Sequence, residues 1–88
     1  MPQNESMVQR VAAMVEDASE GTLNRDAALE EGRTLAEKGL SSLAYLRLID
    51  AVETEFGVYI DLEGDTTFMS TVPGIVGYMA AEGVAGAV

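Results

Sequence analysis

Two adjacent serines, Ser41 and Ser42, follow a Gly39-Leu40 turn and open a run of apolar residues at helical spacing. Ser41 is placed to cap that helix, its hydroxyl accepting from a backbone N–H one turn in, which leaves Ser42 as the first helical residue with its side chain toward solvent. Helix N-termini present free N–H groups and the positive end of the macrodipole, so a hydroxyl at this position is suited to carry a phosphodiester. Ser42 is therefore the residue singled out for chemistry. The rest of the chain offers little chemistry of its own. It contains no histidine and no cysteine, which removes the usual general base, the commonest zinc ligand, any His-based triad and any disulfide framework. On this composition an enzyme built from this chain alone would be unusual, and the expectation is a non-catalytic protein. Asp61, Glu63 and Asp65 gather in one short stretch and invite a hard cation, but the ligand order of an EF-hand is missing and no metal site is assigned.

Fifteen acidic residues stand against five basic ones, a formal net charge of −10. Such a field repels phosphate backbones, so nucleic acid and anionic membranes are excluded as partners and a basic protein surface is favoured. The same charge also serves solubility alone. No apolar run approaches the roughly 20 residues of a membrane span, and the start Met1-Pro2-Gln3-Asn4-Glu5 lacks a basic and apolar leader. The expectation is a soluble, cytoplasmic monomer. With 88 residues, 48% of them hydrophobic, the chain makes one small domain whose stability must come from helix packing. No internal repeat or second domain is visible.

The elements that must position Ser42 follow from periodicity. Met7, Val8, Val11, Met14, Val15 and Ala18 recur at three-and-four spacing, predicting a first helix from about Gln3 to Ser19. From Glu20 to Leu40 the pattern loosens. Leu29 and Leu35 do not share a helical face, so a long ordered loop is expected, with at most a helical turn, tucking Leu23, Leu35 and Leu40 into the core. In the helix after Ser41, the residues Leu43, Leu46, Ile49, Val52 and Phe56, broadened by Leu48, form the expected buried stripe. Leu40 and Leu46 are placed to make a hydrophobic staple. Gly57 suits a left-handed stop. Val58-Tyr59-Ile60 is too short to found a sheet and anchors the following loop. Thr66 to Met69 is expected as a short helix capped by Asp65 or Thr66. A last helix starts at Ser70 or Thr71 with Pro73 in its first turn and buries Val72, Ile75, Val76 and Met79. Gly74 and Gly77 in that helix permit close approach at some cost in propensity. The folded core then spans about residues 4–82, and residues 83–88 are expected to fray.

From Leu35 to Met79 the chain resembles the acyl carrier proteins and their peptidyl carrier relatives. The resemblance rests on Leu35-Ala36-Glu37-Lys38-Gly39-Leu40-Ser41-Ser42-Leu43, then Val52-Glu53-Thr54-Glu55-Phe56-Gly57-Val58-Tyr59-Ile60, then Thr71-Val72, in that order. It implies an all-α fold, a small four-helix bundle of three longer helices and one short one with a long loop between the first two long helices. It further implies 4′-phosphopantetheine on Ser42, joined from coenzyme A by a phosphopantetheinyl transferase, with cargo held as a thioester. The thiol then belongs to the prosthetic group, so the chain supplies position and recognition and needs no catalytic residue. Further implied partners are a loading acyltransferase or adenylating ligase and a downstream synthase or transferase. Two residues depart from the family pattern. Ser41 stands where acyl-type members usually have aspartate, and Arg47 lies on a face that is often acidic. Both make the start of the helix less anionic, pointing to a dedicated partner set that contacts Ser41, Leu43, Tyr45, Leu46, Arg47, Asp50 and Glu53. The alternative for this surface is that Leu43 is core and Arg47 a solvated charge. As a single carrier unit the chain reads as free-standing, in polyketide or nonribosomal peptide biosynthesis rather than primary fatty-acid synthesis. The rival from another class is an unmodified acidic helical interaction module.

Overall fold

The structure, a computed structural model, describes residues 3–64 and 66–87, with side chains from residue 6 onward. Helix α1 (Gln3–Ala18) buries Met7, Val11, Val15 and Ala18 at intervals of four, four and three, as the stripe predicts. It ends in a Schellman motif, with Gly21 N–H donating to the Glu16 carbonyl at 2.9 Å and Glu20 N–H to Asp17 at 3.0 Å. Glu20 takes the left-handed conformation (φ 53°) that this motif requires.

The connection expected as a long loop is more structured than its composition suggests. A short helix, α2 (Arg25–Leu29), is capped by Asn24, whose side-chain oxygen accepts from Ala27 N–H at 2.8 Å. Its C-terminal carbonyls are met by the Lys38 ammonium, which donates to Ala28 and Glu30. Thr34 and Glu37 then form a reciprocal capping box, Thr34 N–H to the Glu37 carboxylate at 2.7 Å and Glu37 N–H to the Thr34 hydroxyl at 3.1 Å. The single helical turn that follows is closed at Gly39 (φ 108°), with Leu40 N–H on the Leu35 carbonyl at 3.0 Å. Leu35 N–H donates to the Ser70 carbonyl at 2.8 Å. Leu23, Leu35 and Leu40 are all buried, as expected.

Helix α3 (Ser42–Phe56) corrects the phase of the predicted stripe. Its core side is Ala44, Leu48, Ile49 and Val52, whereas Leu43 and Leu46 are 59% and 54% exposed. Ala44, Leu48 and Val52 lie four residues apart on one ridge, and the small Ala44 begins it where a leucine was expected. Leu46 is thereby turned to solvent and does not serve as the staple for the buried Leu40. The helix stops at Gly57 (φ 68°), whose N–H donates to the Glu53 carbonyl at 2.9 Å.

After Gly57 the chain buries Ile60 and leaves Tyr59 outside. The Glu53 carboxylate accepts from Ile60 N–H at 2.8 Å, and the Tyr78 hydroxyl donates to the Tyr59 carbonyl. The expected short helix is a 3-10 turn (Thr67–Ser70), and Thr66 makes no side-chain cap to it. The alternative cap, Asp65, lies outside the described residues. Helix α4 (Val72–Ala81) is capped by the Thr71 hydroxyl, which accepts from Gly74 N–H at 3.1 Å, and buries Val72, Ile75, Val76 and Met79 as predicted. Close approach is real at Gly74 alone. A Cβ there would lie 2.3 Å from the Phe68 carbonyl oxygen, while Gly77 faces open space. Phe68 and Tyr78 stack with ring centroids 4.1 Å apart. The residues expected to fray instead turn back at Gly83, with Val84 N–H on the Met79 carbonyl at 3.0 Å, and bury Ala87. Val88 lies outside the described residues.

The fold is all-α. Among the described residues, three longer helices pack with one five-residue helix and a 3-10 turn into a small bundle, without strands. No described helix is long and apolar enough to cross a membrane.

Candidate functional site

The Ser41 hydroxyl accepts from Ala44 N–H at 3.2 Å, and its carbonyl accepts from Tyr45 N–H at 2.9 Å. Ser41 is thus the N-cap, and Ser42 is the first residue of α3. The Ser42 side chain is exposed, and its hydroxyl has no hydrogen-bond partner among the described residues. The N–H groups of Ser42 and Leu43 precede the first bonds of the helical ladder and point out of it. No acidic side chain sits in the first turn of α3, so nothing within that turn offsets the positive end of the helix dipole. A serine without a hydrogen-bonded base is an unactivated nucleophile. What the arrangement offers is a hydroxyl that an outside catalyst can reach, beside N–H groups that favour an anion.

The residues expected around Ser42 divide by environment. Leu43, Leu46 and Asp50 share the solvent face of α3 that begins at Ser42, and all three are exposed. Tyr45 is half-buried, its hydroxyl donating to the Met69 carbonyl at 3.0 Å, and burial pushes its phenol above the ordinary value. It tethers α3 to the 3-10 turn. Glu53 faces the following loop and holds Ile60 N–H, so its carboxylate is engaged within the fold. Arg47 is not a free solvated charge: its guanidinium meets the Glu20 carboxylate at 2.6 Å.

A cleft that the sequence did not reveal runs between α3 and the 3-10 turn, lined by Tyr45, Ile49, Leu62, Thr66, Met69 and Ser70. Leu62 is more than half exposed at its edge. A lone leucine in a polar loop carries no periodic signal, so nothing in the sequence marks it. Among the described residues no group of three or more acidic side chains is arranged to hold a metal ion. The Glu63 N–H donates to Asp61 Oδ1 at 2.9 Å, a local turn.

Compared with protein-family models, curated proteins and solved structures, the chain has no match.

Proposed function

We propose that this protein is a carrier, holding an acyl, polyketide or aminoacyl intermediate as a thioester on a 4′-phosphopantetheine arm attached to Ser42. The observation that carries the reading is the position of Ser42: an exposed hydroxyl, unpartnered among the described residues, at the first residue of a 15-residue helix, bordered by the exposed pair Leu43 and Leu46. The residues present fit such a group. Ser42 Oγ provides the attachment point, the helix N-terminus favours the phosphodiester anion, and Ser41 holds the first turn in place. When bound, the arm supplies the thiol that the chain lacks. The chain's own part is to present the serine to a phosphopantetheinyl transferase using coenzyme A, and then to offer Leu43, Leu46 and Asp50 to loading and downstream enzymes. A discrete carrier of polyketide or nonribosomal peptide biosynthesis is the preferred setting, with primary fatty-acid synthesis as the alternative. Either places the chain in the cytoplasm.

The rival reading, an unmodified acidic module, is favoured by one observation. All four arginines have a carboxylate partner within the chain and Lys38 is held by backbone carbonyls, so the unpaired surplus of surface charge is acidic. Intact-protein mass after incubation with coenzyme A, magnesium and a broad-specificity phosphopantetheinyl transferase separates the two. The carrier gains one phosphopantetheine, Ser41→Ala keeps that gain and Ser42→Ala abolishes it. A folded protein that gains nothing is the interaction module.

A further inference from the structure

Helices α1 and α3 pack antiparallel and leave a groove between them, away from the loop side of α3. Ala13, Met14, Ala51 and Thr54 line it together with the Arg10–Glu55 pair, and Asp17 from α1 and Asp50 from α3 add two further carboxylates, so the lining is net acidic. Arg10 and Glu55 pair at 2.6 Å within the groove, and Arg47 pairs with Glu20 at 2.6 Å beyond its other end. These pairs cancel their own charges. Asp17 and Asp50 have no ion pair among the described residues, and both are exposed. A trough of alanines with free carboxylates above it matches a side chain that has an apolar stem and a cationic head.

We propose that this groove docks a basic segment of a partner protein, seating the stem of a lysine or arginine over Ala13, Met14 and Ala51 with its head between Asp17 and Asp50. Charge complementarity selects this occupant. A second copy of the chain carries the same −10, so like charge opposes its docking there. Nucleic acid and anionic lipid are repelled by the same field. The docking surface does not depend on modification of Ser42, and the test therefore uses the unmodified chain.

The test is a titration of the isotope-labelled protein with an amphipathic helical peptide of leucine and lysine, followed by amide chemical shifts at low salt. The expected result is saturable binding with shifts concentrated at Ala13, Met14 and Ala51. Asp17→Asn with Asp50→Asn weakens it roughly tenfold, about 1.4 kcal/mol, whereas the equal charge change Asp26→Asn with Glu31→Gln has less than about a twofold effect. Ala51→Met, which fills the floor at constant charge, weakens binding severalfold. No saturable binding, shifts spread over the whole surface, equal weakening by both double variants, or unchanged affinity of Ala51→Met each overturns the proposal. So does a dimer of the unliganded chain whose contacts map to the same amides, which would assign the groove to a second copy.

Discussion

The Tyr45 hydroxyl donates to the Met69 carbonyl at 3.0 Å, so the second turn of α3 is bolted to the 3-10 turn across 24 residues of chain. Removing the hydroxyl by Tyr45→Phe leaves the ring in place and a carbonyl unpaired, and should lower stability by about 0.5–1.5 kcal/mol in urea denaturation. Stability at alkaline pH reports the same contact. Burial raises the Tyr45 phenol, so the unfolded chain loses its proton first. The stabilisation is whole below about 10, the ordinary phenol value, and is lost as pH rises through the raised folded value. Tyr78 is raised in the same direction, by burial and then by Glu82 and Asp61. The alkaline decline in Tyr45→Phe should therefore be shallower than in the parent, not absent.

At the acid end the reporter is Glu37. Hydrogen bonds from the Thr34 N–H, first, and the Thr34 hydroxyl hold its carboxyl below the usual range. A depressed carboxylate stabilises the fold above its unfolded value, and that contribution disappears as pH falls through the folded one. Glu37→Gln keeps an acceptor for Thr34 N–H but cannot titrate. Melting temperatures measured from neutral pH down through the carboxylate range should fall less steeply for the variant, and identical profiles would mean the capping box contributes nothing to acid sensitivity.

The two helical glycines of α4 should respond oppositely to alanine. At Gly74 the new methyl meets the Phe68 carbonyl oxygen at 2.3 Å, a backbone atom that cannot step aside. The cost is about 1–3 kcal/mol for overpacking. Gly77 faces open space, so Gly77→Ala gains helix propensity, about 0.5–1 kcal/mol. Calorimetry of the pair tests the close approach directly: similar effects at both positions would rule it out.

Capping and attachment are separable at the neighbouring serines. Ser41→Ala removes the acceptor for Ala44 N–H and should destabilise by about 1 kcal/mol, whereas Ser42→Ala removes an exposed hydroxyl and should change stability by less than about 0.5 kcal/mol. The expected pattern is a stable Ser42→Ala protein that takes up no arm and a weakened Ser41→Ala protein that does.

Most of this architecture is legible where apolar residues recur with a single period. Helix α4 is read correctly down to Val72, Ile75, Val76 and Met79, and the Ser41 cap follows from a serine before an apolar run. The phase of α3 is not. Its leucines at positions 43, 46 and 48 allow two faces, and only packing shows that the ridge through Ala44, Leu48 and Val52 lies inward. That phase decides the candidate site, because it turns Leu43 and Leu46 out beside Ser42. Helix α2 is too short for periodicity to register, although Asn24 before Arg25 is a cap signal. Thr34-Leu35-Ala36-Glu37 likewise carries the capping-box spacing. The fate of Ala87 depends on the fold-back at Gly83 and on Met7, 3.3 Å from a Cβ at Gly86, a relation no local pattern contains.

Leu35 is fully buried, and its N–H finds a partner only in the carbonyl of Ser70. A chain being synthesised from its N-terminus makes the first of these residues long before the second. Through that interval the segment around Leu35 has its own turn and the Lys38 tie to α2, but not its Ser70 partner, and loop-closure entropy opposes that contact. The constraint falls on the Leu35 turn alone: α2 packs locally on α1, whereas the Leu35 N–H gains its partner only once the 3-10 turn is in place.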